Sequence, residues 1–444
     1  MTSNKRNRSA IYDRPAELLQ RLIRFDTTNP PGNEAECISF INGLLAEAGI
    51  KTTILGKTPE RPNLIARLPG MGNAPPLLLY GHIDVVTTEN QQWQHPPFAG
   101  EVSDGFVWGR GALDMKGGVA MMLAAFLRAK GDALKLPGDV VLAIVSDEEA
   151  GGDFGSRYLV ENHPKLFEGI KYAIGEFGGF TFYVGKQRFY PIMIAEKQLC
   201  WLNMTVRGTG GHGAIPVRGG AMAKLSQVLR RLDKKRLPVH ITPAARLMFD
   251  AVASASGGVK KLVLGQLTNP LFTNMVLDAM GEHSRPFDPL LHNTVSPTVL
   301  HGSSKINVIP SEVSIGLDGR LLPGYSPDDL ISELTGIVGH DVEIEVIRYD
   351  PGPAEPDMGL FDLLADILRQ ADPDGIPVPF LMSGVTDARF FARLGIQTYG
   401  FVPMQLPRDF DFIQVIHGVD ERIPVEAIGF GANAIYQLLR RFGE

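Results

Sequence analysis

Two histidines and five carboxylates, His82, Asp84, Asp114, Glu148, Glu149, Glu176 and His417, have the residue types and spacing to do chemistry together. No cysteine belongs to the set. Imidazole nitrogens with carboxylate oxygens make a hard-to-borderline donor set that suits zinc, cobalt or manganese. His82 and Asp84 stand two apart at the end of an apolar run, Leu77-Leu78-Leu79-Tyr80-Gly81, so on a strand they share a face. A metal-ligating histidine beside a group that orients it has that form. Glu148 and Glu149 are adjacent, and neighbours cannot both serve one purpose at one metal. One can ligate while the other reaches a water as general base.

The elements that position these groups follow from periodicity. Asp139–Val145 and Tyr172–Gly175 are further apolar strands, ending in Ser146-Asp147-Glu148-Glu149 and in Glu176. Three successive strands therefore end in acid or imidazole groups, and functional groups gather at the carboxyl ends of strands in open α/β sheets. A long loop rich in Gln, Pro and Gly, containing Trp93 to Phe98 and Gly109-Arg110-Gly111, delivers Asp114 ahead of a helix at Lys116–Lys130. Upstream, Asp13–Phe25 has helical spacing, and Thr27 to Gly32 is a loop by composition. Asn33 with Glu36 reads as a capping box opening a helix that Gly49 closes. Ile50–Leu55 and Asn63–Leu68 are short strands. Strands alternating with helices predict an α/β fold, a mixed sheet with helices on both faces.

From about Glu196 the texture changes. Trp201–Arg207 and Ser311–Arg320 alternate as half-exposed antiparallel strands, a Gly-rich turn holds His212, and 240–295 is irregular with scattered helical patterns. Residues 197–322 read as an inserted α+β domain, and 1–196 with 323–444 as the domain that carries the site. In the latter, Ser326–Val338, Met358–Gln370 and Pro424–Arg441 are helical and Val342–Ile347 and Thr398–Val402 are strands.

At 444 residues two domains are the expectation. With 44% hydrophobic and 21% charged residues the composition is that of a soluble globular protein. The formal charge of −6 has no basic footprint for nucleic acid. No run of eighteen apolar residues spans a membrane. Met1–Arg14 is polar and basic without an apolar core, and Cys37 and Cys200 cannot form a disulfide framework, so a cytoplasmic setting is the expectation.

The ordered set of segments resembles the co-catalytic zinc hydrolases that include aminoacylases, carboxypeptidase G, carboxypeptidase S and succinyl-diaminopimelate desuccinylase. Its pieces are Gly81-His82-Ile83-Asp84, Gly109 to Gly118, Ser146 to Glu149, Glu176, Gly211-His212-Gly213, Asn307 to Pro310, Asp318-Gly319-Arg320, Ser383 to Arg389 and His417. The resemblance implies two divalent metal ions, zinc foremost, one held by His82 and Glu176 and the other by Glu149 and His417, with Asp114 between them. It implies that Asp84 fixes the tautomer of His82 and that Glu148 is the general base. His212, in the inserted domain, would hydrogen-bond the oxyanion, from the neighbouring subunit in dimeric members. Asn307, Arg320, Ser383 and Gly384 match positions that grip the substrate's carboxylate and backbone, although Arg320 read alone is a strand residue paired with Asp318. Glu at position 176 accompanies family members that act on an N-acyl amino acid or short peptide with a free carboxylate. The inserted domain would serve as a lid and pair two copies into a homodimer, an arrangement that the extra 240–295 segment puts in question.

Overall fold

The computed structural model describes residues 10–444. Residues 1–9, on which part of the amino-terminal reading rests, lie outside the described residues. Two units make up the chain: one of Met1–Ile194, Asp357–Pro379 and Thr386–Glu444, the other of Ala195–Pro356 with Phe380–Val385.

The first unit is built on a nine-stranded mixed sheet. From one edge it runs Thr52–Gly56, Pro62–Leu68, Val140–Val145, Leu77–His82, Tyr172–Gly175, Gln397–Gly400, Gln187–Glu196 and Gly375–Met382, with Phe182–Val184 paired to Gln187–Glu196. The three strands whose ends carry the candidate groups are neighbours and mutually parallel. Leu79 pairs with Leu142 on one side and Ile174 on the other, and His82 pairs with Val145. Parallel neighbours end at the same edge, so sheet register brings His82, the start of the Glu148-Glu149 turn and Glu176 to one place. The central strand of this trio, Leu77–His82, and its neighbour Val140–Val145 are fully buried, as continuous apolar runs covered on two faces require.

On one face Leu78, Tyr80, Val141 and Ala143 pack with Leu159, Val160, Phe390 and Phe391. The Lys116–Gly131 helix, buried nearly all round, packs against the Leu77–His82 strand and the Val425–Arg441 helix. Gly81 permits that approach, since a Cβ there would meet Met115 and Val119 side chains at 2.8 and 2.9 Å. A small sheet of Arg422–Pro424, Phe106–Trp108 and Glu101–Ser103 pairs Arg422 with Trp108. It brings the His417 turn beside the Asp114 loop, across some three hundred residues of sequence.

The second unit holds a four-stranded antiparallel sheet in the order Thr294–His301, Glu312–Leu321, Gln198–Arg207, Val342–Asp350. One face buries Leu202, Met204, Val206, Ile315 and Leu317 with Leu225 and Val228 of the Ala221–Lys234 helix and Leu330 and Leu334 of Pro327–Val338. Each such side chain contributes about 1.5–3 kcal/mol of burial. The unit extends past the expected limit of 322, because Val342–Asp350 is hydrogen-bonded to its central strand and Pro327–Val338 packs on that sheet. The segment 240–295 is more regular than its composition suggests, with helices at Pro243–Ala255, Gly258–Gln266 and Thr273–Met280. The helix after the Pro-rich loop starts at Ala35 with no side-chain cap, so Asn33 and Glu36 form no capping box. Among the described residues, no helix is long and apolar enough to cross a membrane.

Candidate metal centre

Two groups of three donors converge in the first unit: His82, Asp114 and Glu176, and Asp114, Glu149 and His417. Within each group the donor atoms lie within 4.8 Å of one another. His82 Nε2 is 3.0 Å from Asp114 Oδ1 and 3.3 Å from Glu176 Oε2. His417 Nε2 is 3.1 Å from Asp114 Oδ2 and 3.2 Å from Glu149 Oε1. Asp114 thus turns one oxygen to each group. Glu148 belongs to neither, and its Oε1 stands 4.0 Å from Arg389 Nη1.

With neutral imidazoles, this cluster of donors would carry three buried or half-buried negative charges. Proton affinities show the strain. Burial pushes Glu176 up to about 7, reinforced by the Asp114 charge and only partly offset by His82. Burial and the Asp114 charge raise Glu149 as well. The Asp114 carboxylate, hydrogen-bonded to it, and the Glu149 carboxylate close by lift His417 to about 10. Burial disfavours a charged His82, but Glu176 and Asp114 together hold its proton affinity well above the ordinary value. Asp114, though buried, is held well below the usual carboxylate range by both imidazoles. Glu149 Oε1 is buried without a hydrogen bond, because its approach to His417 is poorly aligned. Converging acceptors that demand positive charge, one of them unsatisfied, fit divalent cations.

The surrounding backbone is tied down from beneath. Asp84, fully buried, accepts from the backbone N–H groups of Glu148 and Glu149, both at 3.1 Å, and from Asn29 Nδ2 at 2.8 Å. His82 Nδ1 meets the Asp84 backbone carbonyl at 3.0 Å, whereas the nearest Asp84 carboxylate oxygen is at 3.5 Å. Main-chain carbonyl and carboxylate of Asp84 thus face the same ring nitrogen, the carbonyl at the shorter distance. The Asp84 carboxylate also holds the turn that bears the two glutamates.

Glu421, four residues after His417, is not among the residues that the sequence singles out. It is completely buried and accepts from the backbone N–H groups of Gly111, Leu113 and Asp114 and from Arg110 Nη1 at 2.6 Å. Arg110 in turn donates to the His417 carbonyl at 3.1 Å. One buried ion pair thus clamps both loops that carry Asp114 and His417. The signal was present in the sequence as an arginine between glycines and an acid four residues after His417, but nothing local says that the two meet.

The remaining residues from the sequence reading lie in the second unit. His212 is exposed in a two-stranded ribbon opposite Val308, and the Gly213 N–H donates to the Asn307 carbonyl at 2.8 Å. Its Nδ1 accepts from Ala214 N–H at 3.1 Å, so the neutral ring carries its proton on Nε2. Arg320 forks onto Asp318 at 2.9 and 3.2 Å. Ser383 and Gly384 fall in the short Phe380–Val385 stretch of that unit.

The family model described as Peptidase family M20/M25/M40 matches residues 78–441. A probable carboxypeptidase S-like 2 of Dictyostelium discoideum is 28% identical over 391 residues, covering 82% of this chain and 71% of that protein. The N-fatty-acyl-amino acid synthase/hydrolase PM20D1 of Xenopus tropicalis is 28% identical over 381 residues, covering 83% and 72%. The fold matches the crystal structure of an M20 family metallo-carboxypeptidase from Sulfolobus solfataricus with a TM-score of 0.69, at 15% identity, over 97% of this chain and 99% of that one. The chain belongs to peptidase family M20/M25/M40 and is a metal-dependent hydrolase of amide bonds.

Proposed function

We propose that the chain is a two-metal amidohydrolase that cleaves an N-acyl amino acid or a short peptide bearing a free carboxylate. The observation that carries this reading is Asp114, whose two oxygens face His82 and His417 separately while Glu148 stands outside both donor groups. His82 and Glu176 would hold one cation, Glu149 and His417 the other, with Asp114 shared. Two imidazoles and three carboxylates without a thiolate suit zinc, and cobalt and manganese share that chemistry. Cations bound there polarise the scissile carbonyl and lower the pKa of the attacking water.

Glu148 is the general base. Burial first, and then the charge of Glu176, hold its proton affinity well above the ordinary carboxylate value. A carboxylate so placed takes the proton of the attacking water and returns it to the leaving amine. His212 supports this chemistry as a donor through Nε2, and Arg320 with Asn307, Ser383 and Gly384 supplies groups for the substrate's carboxylate and backbone. Arg320 exchanges Asp318 for the substrate in this reading. A homodimer, with His212 offered by the second copy, and a cytoplasmic setting belong to the same reading. Both cysteines are buried and free.

The test is hydrolysis by metal-loaded protein of N-acetyl, long-chain N-acyl, N-succinyl and dipeptide substrates, each with and without a free carboxylate. Cleavage of only the carboxylate-bearing members supports the reading and names the acyl class. Release of amino-terminal residues from amidated peptides would move the protein to the aminopeptidases.

A further inference from the structure

The Glu148-Glu149 turn needs its two side chains to diverge toward different tasks, and its backbone is held in an unfavourable shape. Asp147, which opens it, sits at φ +70°, a left-handed conformation that costs a non-glycine residue energy and persists where its surroundings enforce it. The enforcing group comes from far away in the sequence. Arg61 Nη1 lies 2.8 Å from Asp147 Oδ1, while its Nη2 and Nε hold Glu34 at 2.8 and 3.2 Å. Arg61 and Glu34 are buried, and the guanidinium also lies 4.9 Å from the centre of the Phe154 ring. The other Asp147 oxygen accepts from Phe154 N–H at 3.0 Å. Asn29 Nδ2 bridges Asp147 and Asp84 at 3.1 and 2.8 Å, and Asp84 accepts from the N–H groups of both glutamates. The loop Thr27 to Gly32 finds its use here. It supplies Asn29, and Gly32 makes room for the guanidinium, whose carbon would lie 2.3 Å from a Cβ at that position.

We propose that Arg61 is a positioning residue of the reaction: anchored by Glu34 and seated on Gly32, its guanidinium locks Asp147 and thereby aims Glu148 as base while Glu149 faces the metals. This rests on the reading of Glu148 as general base. Arg61 contacts neither a metal ligand nor Glu148, so removing it shifts the aim of the base without deleting a reacting group. A displacement of about 1 Å at a reacting group costs on the order of 100-fold in rate.

The test uses the full chain, metal-loaded, on an N-acyl amino acid that the wild type cleaves, with R61M, R61K, E148Q and the R61M/E148Q double variant. Turnover, KM, metal per chain and melting temperature are measured for each. R61M should lose about 100-fold in kcat, keep its metals and hold KM within about threefold, with part of the loss recovered in R61K. On the E148Q background, R61M should change the residual rate by less than about twofold, because no base remains to be aimed. A wild-type kcat in R61M, a loss carried by KM, or a loss that multiplies in full on E148Q would overturn the proposal. An E148Q enzyme with wild-type kcat would remove its premise by showing that Glu148 is not the base. Should R61M not fold, D147N decides on the same readouts.

Discussion

The two donor groups are assembled by different means. His82 and Glu176 end buried parallel strands, and the His82 side chain is 1% exposed. Their positions follow from sheet register and need no further support. Glu149 and His417 sit on turns, His417 at φ +59° with a side chain 46% exposed. That half depends on clamps: Asp84 beneath the Glu149 turn, and the Arg110–Glu421 pair between the Asp114 and His417 loops. Strand ends come positioned by the cooperativity of the sheet, whereas loop-borne donors are held by dedicated buried charges.

The largest effect is expected where neither half is touched. E148Q should keep both metals and lose about 10²–10⁴-fold in kcat, read by kinetics together with metal analysis. Loss of metal in that variant would make Glu148 a ligand and break the division of the glutamate pair. R110M attacks the loop-borne half, leaving Glu421 as an uncompensated buried charge. It should cost about 3–5 kcal/mol in urea unfolding and release metal from the His417 side first.

The halves can then be set against each other directly. H417A should retain about one metal per chain, while H82A should lose more and, without metal, melt at a lower temperature. The reason is that H82A leaves Asp114 and Glu176 around a buried void, and H417A opens onto solvent. D114A should lose at least one metal, since both halves use it. Equal metal content and melting in H82A and H417A would erase the distinction.

The smallest effect lies in the second unit, where a buried cation lacks the carboxylate clamp that Arg110 enjoys. Lys197 donates to the His292 carbonyl and the Thr294 hydroxyl, both at 2.9 Å, and burial, reinforced by the Arg320 charge, pushes its pKa down to about 7. Between about pH 7 and its ordinary 10.5 the unfolded chain binds more protons at this position, so stability rises with pH through that window. Below it the cost of burying the charge is felt in full. The melting-temperature advantage of K197M over wild type should therefore be greatest near pH 6 and shrink toward pH 10. A difference independent of pH would show that Lys197 keeps its ordinary proton affinity.

The donors themselves were legible in the sequence, because an apolar run ending in an acid or imidazole is a local pattern and parallel strands translate it into convergence. Arg320 and Asp318, two apart on a strand, were legible for the same reason, and the structure pairs them. The clamps were not. Arg61, Glu34, Arg110 and Glu421 look like ordinary surface charges in a sequence, since burial of a charge is decided by what packs around it. The reach of the second unit beyond residue 322 was also hidden, as helix and strand alternation looks the same whichever sheet receives it.

What the sequence by itself determined is the donor set: two imidazoles, a pair of adjacent glutamates and the absence of thiolates, carried on elements whose period of apolar residues dictates strand or helix. What only the tertiary structure decided is the partnership among distant charges. Glu421 with Arg110, Arg61 with Asp147 and Asp84 with the glutamate turn are contacts between residues 64 to 311 positions apart. Their strength comes from being removed together from water. No local pattern can encode that, because the low-dielectric setting that makes such pairs matter exists only once the chain has closed around them.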